Sequence, residues 1–297
     1  MTSTTGSRPD ELVVVSGAST GIGRATAQRL AADGFHVLAG VRNDRDAEAV
    51  TAGRIEAVRL DITESDQVAA VAERVRSDSA GRPLRAVVNN AGIAVAAPVE
   101  LIPLPEWRRQ FEANLFGHVA VIQALLPALV AARGRVINIS SIGGLVAGPT
   151  YGAYAASKFG LEAMSDALRR EVGHLGVEVV VVQPGGIATP IWTKGRALAE
   201  QLTGQISADQ RDRYGPILAA ASQRARQTAA AGISPDRVAE VIATAITTRR
   251  PRTRYLVGRD AQITARVAAL MPDRWLDRLM AVRPGPASTD QDLPPVA

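Results

Sequence analysis

Seven short runs rich in β-branched residues recur along the chain, each separated from the next by a stretch with helical spacing, and this alternation constrains the fold more than any other feature. The runs are LVVVSG from Leu12, HVLAGV from His36, IEAVRLD from Ile55, LRAVVNN from Leu84, RVINISS from Arg135, VEVVVVQPGG from Val177 and RYLVG from Arg254. Between them lie segments such as GRATAQRLAADG and ESDQVAAVAERVRSDSAG, with apolar residues three and four apart and a glycine past the last turn. Near-continuous apolar strands are covered on both faces, which requires a parallel sheet with right-handed crossovers. The expected fold is α/β: a doubly wound, seven-stranded parallel sheet with helices on both faces, in a single domain over residues 1–258. At 297 residues and 46% hydrophobic content the chain can bury such a core.

Two segments interrupt the pattern. Residues 188–233 follow the C-terminal end of the sixth strand, where open sheets bind ligands, and read as a mobile lid over a substrate. Ile191, Trp192, Leu198, Leu202, Ile206, Tyr214 and Leu218 give this lid an apolar side. Residues 259–283 read as an amphipathic helical extension, with Ile263, Val267, Leu270 and Met271 on one face and Trp275, Leu276, Leu279 and Met280 continuing it. Such a face packs on the domain or a partner subunit, or lies on a membrane surface. Residues 284–297 have the composition of a disordered tail.

Composition closes off other classes. The formal charge is +5, but the arginines are scattered among acids with no basic run interleaved with aromatics, so no nucleic-acid partner is expected. Without cysteine there is neither a disulfide nor a thiolate site, and His36, His118 and His174 stand too far apart for metal-ligand spacing. The opening MTSTTGSRPDE lacks an apolar core, which points to a cytoplasmic location. The most apolar stretch, VAVIQALLPALVAA at residues 119–132, is shorter than the roughly 20 residues of a bilayer span. It reads as a buried helix, and no transmembrane segment is expected.

Directly after the first strand, VVVSGASTGIG places Gly17, Gly21 and Gly23 at the start of a helix. Glycines there permit a tight turn and close backbone approach, and a helix N-terminus faces a pyrophosphate. The turn residues Gly17, Ser19, Thr20, Gly21, Ile22 and Gly23 are accordingly assigned to a dinucleotide in a Rossmann fold. The second strand ends LAGVRN, with Val41 where a ribose-binding acid would sit and Arg42 next to it. A carboxylate would repel a 2′-phosphate and Arg42 attracts one, so NADP(H) is preferred over NAD(H), which stays possible.

Together with SGASTGIG, the motifs LDI at residues 60–62, NNAG at 89–92, Asn114 in ANLFG, ISS before a glycine-rich loop, YAASK at 154–158 and PGGIAT at 184–189 resemble the short-chain dehydrogenase/reductase family over nearly the whole chain. YAASKFGLEAMSDALRREV and PGGIATPIW look most like its steroid- and retinoid-metabolising branch. The resemblance implies contacts of Asp61 and Ile62 with the adenine, of Asn90 and Gly92 with the ribose side, and of Ile187 and Thr189 with the nicotinamide, and it places Ala91, Pro184 and Gly185 among the cofactor-binding residues. It implies a catalytic set of Asn114, Ser141, Tyr154 and Lys158, the family's spacing selecting Ser141 over Ser140, with Tyr154 and Lys158 also touching the cofactor. In the family, the asparagine holds a water that relays protons towards the lysine.

Lys158 is one of only two lysines among 34 basic residues, the other being Lys194. On a helix, residues 154 and 158 share a face, so the ammonium can approach the phenol. Lowering a phenol from about 10 by about 3 units takes roughly 4 kcal/mol. A cation about 4 Å away in an effective dielectric near 20 supplies about that much. A compact ammonium fits such a position better than a planar guanidinium. The expected activity is hydride transfer between a nicotinamide and a small-molecule carbonyl or secondary alcohol, with Tyr154 as general acid and base, on a lipophilic substrate. A catalytically silent dinucleotide-responsive regulator and an isomerase with tightly held cofactor are the alternatives. Family analogy adds a homo-oligomer built through the helices at residues 117–132 and 152–175.

Overall fold

A computed structural model describes residues 10–204 and 206–281. The seven runs form strands β1 Leu12–Val15, β2 His36–Val41, β3 Ile55–Arg59, β4 Leu84–Asn89, β5 Arg135–Ile139, β6 Glu178–Pro184 and β7 Arg254–Val257. They pair in parallel in the order β3-β2-β1-β4-β5-β6-β7. The winding direction reverses between β1 and β4, which opens a crevice at their C-terminal ends.

The pleat sends alternate residues of each strand into two cores. Val13 and Val15 meet Ala27 and Leu30 of α1 (Gly21–Ala32) and Ile242 and Ile246 of α9 (Pro235–Thr247). Leu12 and Val14 meet Val71 of α3 (Ser65–Arg76) and Leu125 and Leu129 of α5 (Gly117–Ala132). The short α2 (Asp44–Val50) follows β2, and α6 (Gly152–Val172) also covers the α5 side. The apolar stretch at 119–132 is longer as a helix than its sequence suggests. A π-helical turn at Glu112–Phe116 joins α4 (Leu104–Phe111) to α5, giving 29 continuous residues that meet the length and composition of a bilayer span. Its inner face nevertheless serves the sheet, since Gly117, His118, Val121, Ile122, Leu125 and Leu129 are buried.

Residues 188–233 leave the sheet between β6 and β7. Their base is closed by an isolated bridge between Ile187 and Ile233, with Ala188 N–H donating to the Ile233 carbonyl at 2.9 Å. The excursion folds into α7 (Pro190–Thr203) and α8 (Ala208–Ala231), started by Pro190 in the first turn and by a Ser207–Gln210 capping box. Far from the bridge, Glu100 ties α8 down, accepting from Tyr214 Oη at 2.7 Å and from Arg213 Nη2 at 2.8 Å.

The C-terminal extension forms α10 (Arg259–Leu270) and α11 (Asp273–Met280). The expected packing face is realised only in part: Ala261 is buried and Met280 lies over Gly148, whereas Ile263, Leu270, Trp275 and Leu279 are exposed. Residues 282 and 283 and the tail at 284–297 lie outside the described residues.

Candidate active site

A cavity of about 440 Å³ occupies the crevice at the strand ends. At its β1 side, Gly17 and Gly21 have φ of +64° and +56°, a conformation that a Cβ disfavours. A Cβ on Gly17 would also stand 2.8 Å from Cα of Ala91. Helix α1 starts after Thr20 with no side chain capping it, which leaves its first N–H groups and the positive end of its dipole to the cavity. This cradle with uncapped donors fits a dinucleotide pyrophosphate. Ser16 and Asn90 fasten it to β4: Ser16 Oγ accepts from Asn90 N at 3.0 Å and Ala91 N at 3.1 Å, and Asn90 Nδ2 donates to the Ser16 and Gly17 carbonyls at 3.0 and 3.1 Å.

At one end, Arg42 and Asp61 line the wall, Arg42 Nη1 lying 3.9 Å from Asp61 Oδ2. Val41, with no charge to offer, is buried at the strand end. At the other end, Tyr154, Lys158 and Ser141 line the wall together. Ser141 Oγ accepts from Gly143 N at 3.0 Å on the wall it shares with the Tyr154 phenol, while Ser140 is buried with its hydroxyl unpartnered.

Electrostatics here departs from the expectation. Burial pushes the Tyr154 phenol above its ordinary value, and the opposing pull comes from Ser141, with no direct contribution from Lys158. The ammonium stands 5.9 Å from the centre of the tyrosine ring and donates to the Ile139 carbonyl at 2.8 Å. Desolvation of the phenol therefore outweighs an ammonium engaged elsewhere. The lysine is itself lowered to about 8 by burial, with Glu162 pulling the other way.

Of the expected site residues, Gly17, Ser19, Thr20, Gly21, Ile22, Arg42, Asp61, Ile62, Asn90, Ala91, Gly92, Ser141, Tyr154, Lys158, Pro184, Gly185, Ile187 and Thr189 all line this cavity. Gly23 and Asn114 do not. A Cβ on Gly23 would lie 2.2 Å from the Gly17 carbonyl oxygen, so that glycine lets α1 close on the turn. Asn114, in the π-helical turn, accepts from Ile93 N at 2.9 Å and donates to the Ile93 carbonyl at 3.0 Å and Ser157 Oγ at 3.1 Å. Those bonds hold the loop after β4 against α6 and take up both donors needed to bind a relay water as a donor. The sequence reading missed Ile93, Ala94, Arg109, Ala113 and Ile139, and it left Lys194 without a role although this lysine also lines the cavity. Its scarcity was the available signal.

A second cavity of about 140 Å³ lies under the lid and shares Ala94, Ile191, Trp192 and Gly195 with the first. Tyr151, Ala199, Leu218, Ala221 and Ala225 complete a mainly apolar wall. Trp192 Nε1 donates to the Ile187 carbonyl at 2.6 Å, which fixes the indole at the junction. Leu198 lines the first cavity and packs, with Leu202, on the cluster of Val95, Ala97 and Ile102, whereas Tyr214 serves the Glu100 latch.

A doubly wound sheet with a glycine cradle at its switch point and a tyrosine–lysine pair in the same crevice defines a nicotinamide-dependent oxidoreductase. Comparison with known proteins gives the family. Residues 11–199 match the short chain dehydrogenase model. Human retinol dehydrogenase 16 is 34% identical over 94% of this chain and 90% of its own length. The NADPH-dependent 3-dehydrocapnine reductase of Ornithobacterium rhinotracheale is 34% identical over 90% of this chain and 94% of its own. The crystal structure of a short-chain dehydrogenase from Streptomyces avermitilis superposes with a TM-score of 0.73 at 28% identity, covering 92% of this chain and 94% of that one. The chain belongs to the short-chain dehydrogenase family and is an NAD(P)-dependent oxidoreductase of its steroid- and retinoid-related branch.

Proposed function

We propose that the protein interconverts a lipophilic ketone or aldehyde and the corresponding alcohol, with NADP(H) as the preferred cofactor. The observation that carries this reading is the junction of the two cavities: the apolar chamber under α7 and α8 opens beside the Ser141–Tyr154–Lys158 wall. When bound, the nicotinamide supplies or accepts the hydride. Gly17 and the α1 N-terminus hold its pyrophosphate, and Arg42 pairs with the 2′-phosphate, a role supported by the uncharged Val41 beside it. Ser141 Oγ orients the substrate oxygen. Tyr154 gives that oxygen a proton in reduction and takes it in oxidation. A phenol raised by burial retains its proton at neutral pH, which suits reduction, and Lys158 Nζ, 5.9 Å from the ring centre, is the cation available to the anion left behind. Asn114 acts as a positioning residue for Ile93. Similarity to retinol dehydrogenases and to an NADPH-dependent reductase agrees with both the substrate class and the cofactor. The outward faces of α5 and α6, with Phe159 of α6 and Phe116 of the π-helical turn ahead of α5 exposed, are the surfaces through which a homo-oligomer would form.

A panel of aldehydes, ketones and alcohols, tested with NADPH and NADH and followed at the nicotinamide absorbance, tests this reading. The expected result is NADPH-dependent reduction that favours hydrophobic carbonyls. Better turnover of polar sugars, or a clear preference for NADH, overturns the substrate or the cofactor assignment respectively.

A further inference from the structure

Tyr154, Lys158, Glu162 and Asp166 stand four residues apart along α6, about 6 Å per step, so they form one stripe. The first two line the cavity. Glu162 does not, yet it is buried, its side chain only 9% exposed. Its Oε1 accepts from Gln183 Nε2 of β6 at 2.9 Å and its Oε2 from Arg254 Nε of β7 at 3.0 Å. Arg254 is shared, since its Nη2 also lies 2.9 Å from Asp166 Oδ1. Glu162 therefore has only a share of one cation, and its own charge lies one turn from Lys158. Asp166 has a second partner on its own helix, Arg169 Nη2 at 2.8 Å, while the exposed Arg170 stands off at 3.9 Å.

We infer that Glu162, buried one turn beyond Lys158 and sharing Arg254 with Asp166, is a positioning residue whose charge keeps Lys158 protonated and thereby sets the proton inventory of Tyr154. The inference rests on the reading of Tyr154 and Lys158 as the acid–base pair. The other groups around the lysine do not supply the missing charge. On α6 it faces Tyr154 and Glu162. From α5 it faces His118, which burial and the lysine lower to about 3 and hold neutral. From β5 and the turn after it come only the Ile139 carbonyl and the Ser140 and Ser141 hydroxyls. Because Lys158 already titrates at about 8, a modest change in its surroundings alters its charge in the neutral range.

The test uses the near absence of lysine. With two lysines in the chain, ¹³Cε-lysine labelling of the full-length protein gives two titrating signals, and Lys194→Arg assigns them. Glu162→Gln keeps the size and leaves Arg254 paired with Asp166. It is expected to move the Lys158 titration down by about one pH unit. Arg254→Gln leaves the carboxylates less neutralised and is expected to move it up. In NADPH-dependent reduction, which needs the proton on both residues, the falling limb of kcat/KM against pH should shift in the same two directions. General loosening of the fold would relieve burial and raise the lysine in both variants. An unmoved signal in Glu162→Gln, or upward shifts in both variants, overturns the proposal. Opposite shifts in an enzyme that reduces none of the carbonyl probes would uphold the electrostatic link and overturn the acid–base reading.

Discussion

Between β1 and β4 the floor of the large cavity is fixed by backbone crowding. A Cβ on Gly23 would stand 2.2 Å from one carbonyl and 2.5 Å from Asn90 Nδ2, while the Ser16 hydroxyl is spent on the end of β4 and the Asn90 amide on the glycine turn. Across the opening, α7 and α8 contribute one buried residue each among the described residues, Gly195 and Ala225, and are secured by a bridge at one end and the exposed Glu100 latch at the other. The floor has one arrangement and the roof is held by few contacts. On the proposed function, this division would keep cofactor binding and proton transfer fixed while the roof adapts to the substrate.

The contrast predicts that floor substitutions act on chemistry or folding and roof substitutions on substrate affinity. The largest effect is expected from Tyr154→Phe, which keeps the ring packed on Gly143 but removes the proton. Turnover should fall about 10³-fold with NADPH affinity unchanged, as read by steady-state kinetics and a fluorescence titration. A variant with normal turnover would mean that the floor does not carry the acid. Next is Gly23→Ala, which forces α1 away from the turn. Overpacking should cost about 3 kcal/mol in denaturant unfolding and weaken NADPH binding, and an unchanged unfolding midpoint would show the floor to be as yielding as the roof.

The two regions also differed in how far they could be read from sequence. Parallel strands buried on both sides announce themselves as VVV and VVVV runs, and a glycine turn after the first of them has few uses. The cradle was therefore legible residue by residue. Roof residues such as Lys194 and Gly195 look like the surface of any amphipathic helix, because what they face depends on how α7 folds back over Ala94. Glu162 likewise looks like a routine helix glutamate until Arg254, 92 residues away, is brought beside it. The π-helical turn that redirects Asn114 has no local signature in ANLFG. In α10 and α11 periodicity carries no sign, so the apolar stripe could be read but not which of its residues meet the domain and which, like Ile263, Leu270, Trp275 and Leu279, face outward.

Two smaller effects refine the boundary between floor and roof. Arg42→Ala removes a cation whose side chain is 65% exposed, so screening limits its contribution. NADPH affinity should still fall about 30-fold, near the 2 kcal/mol of a charged hydrogen bond, with NADH affinity unaffected. Equal losses for both cofactors would mean that Arg42 supports the strand end and does not read the phosphate.

Trp192 tests the boundary most finely because it belongs to both regions. Its indole nitrogen is anchored on the Ile187 carbonyl at the edge of the floor, while its ring faces Tyr151 edge-on at 6.3 Å and walls the apolar chamber. If the ring acts as roof, Trp192→Ala removes uniform binding of an apolar substrate. KM for a hydrophobic ketone should then rise about 10-fold while kcat stays within about twofold. If the anchor matters more, loss of the indole lets Ile187 shift against the nicotinamide end and kcat falls with KM little changed. Trp192→Phe separates the two, because it keeps most of the apolar wall and removes only the N–H donor. On the arrangement described here it should restore KM to within a few-fold of wild type.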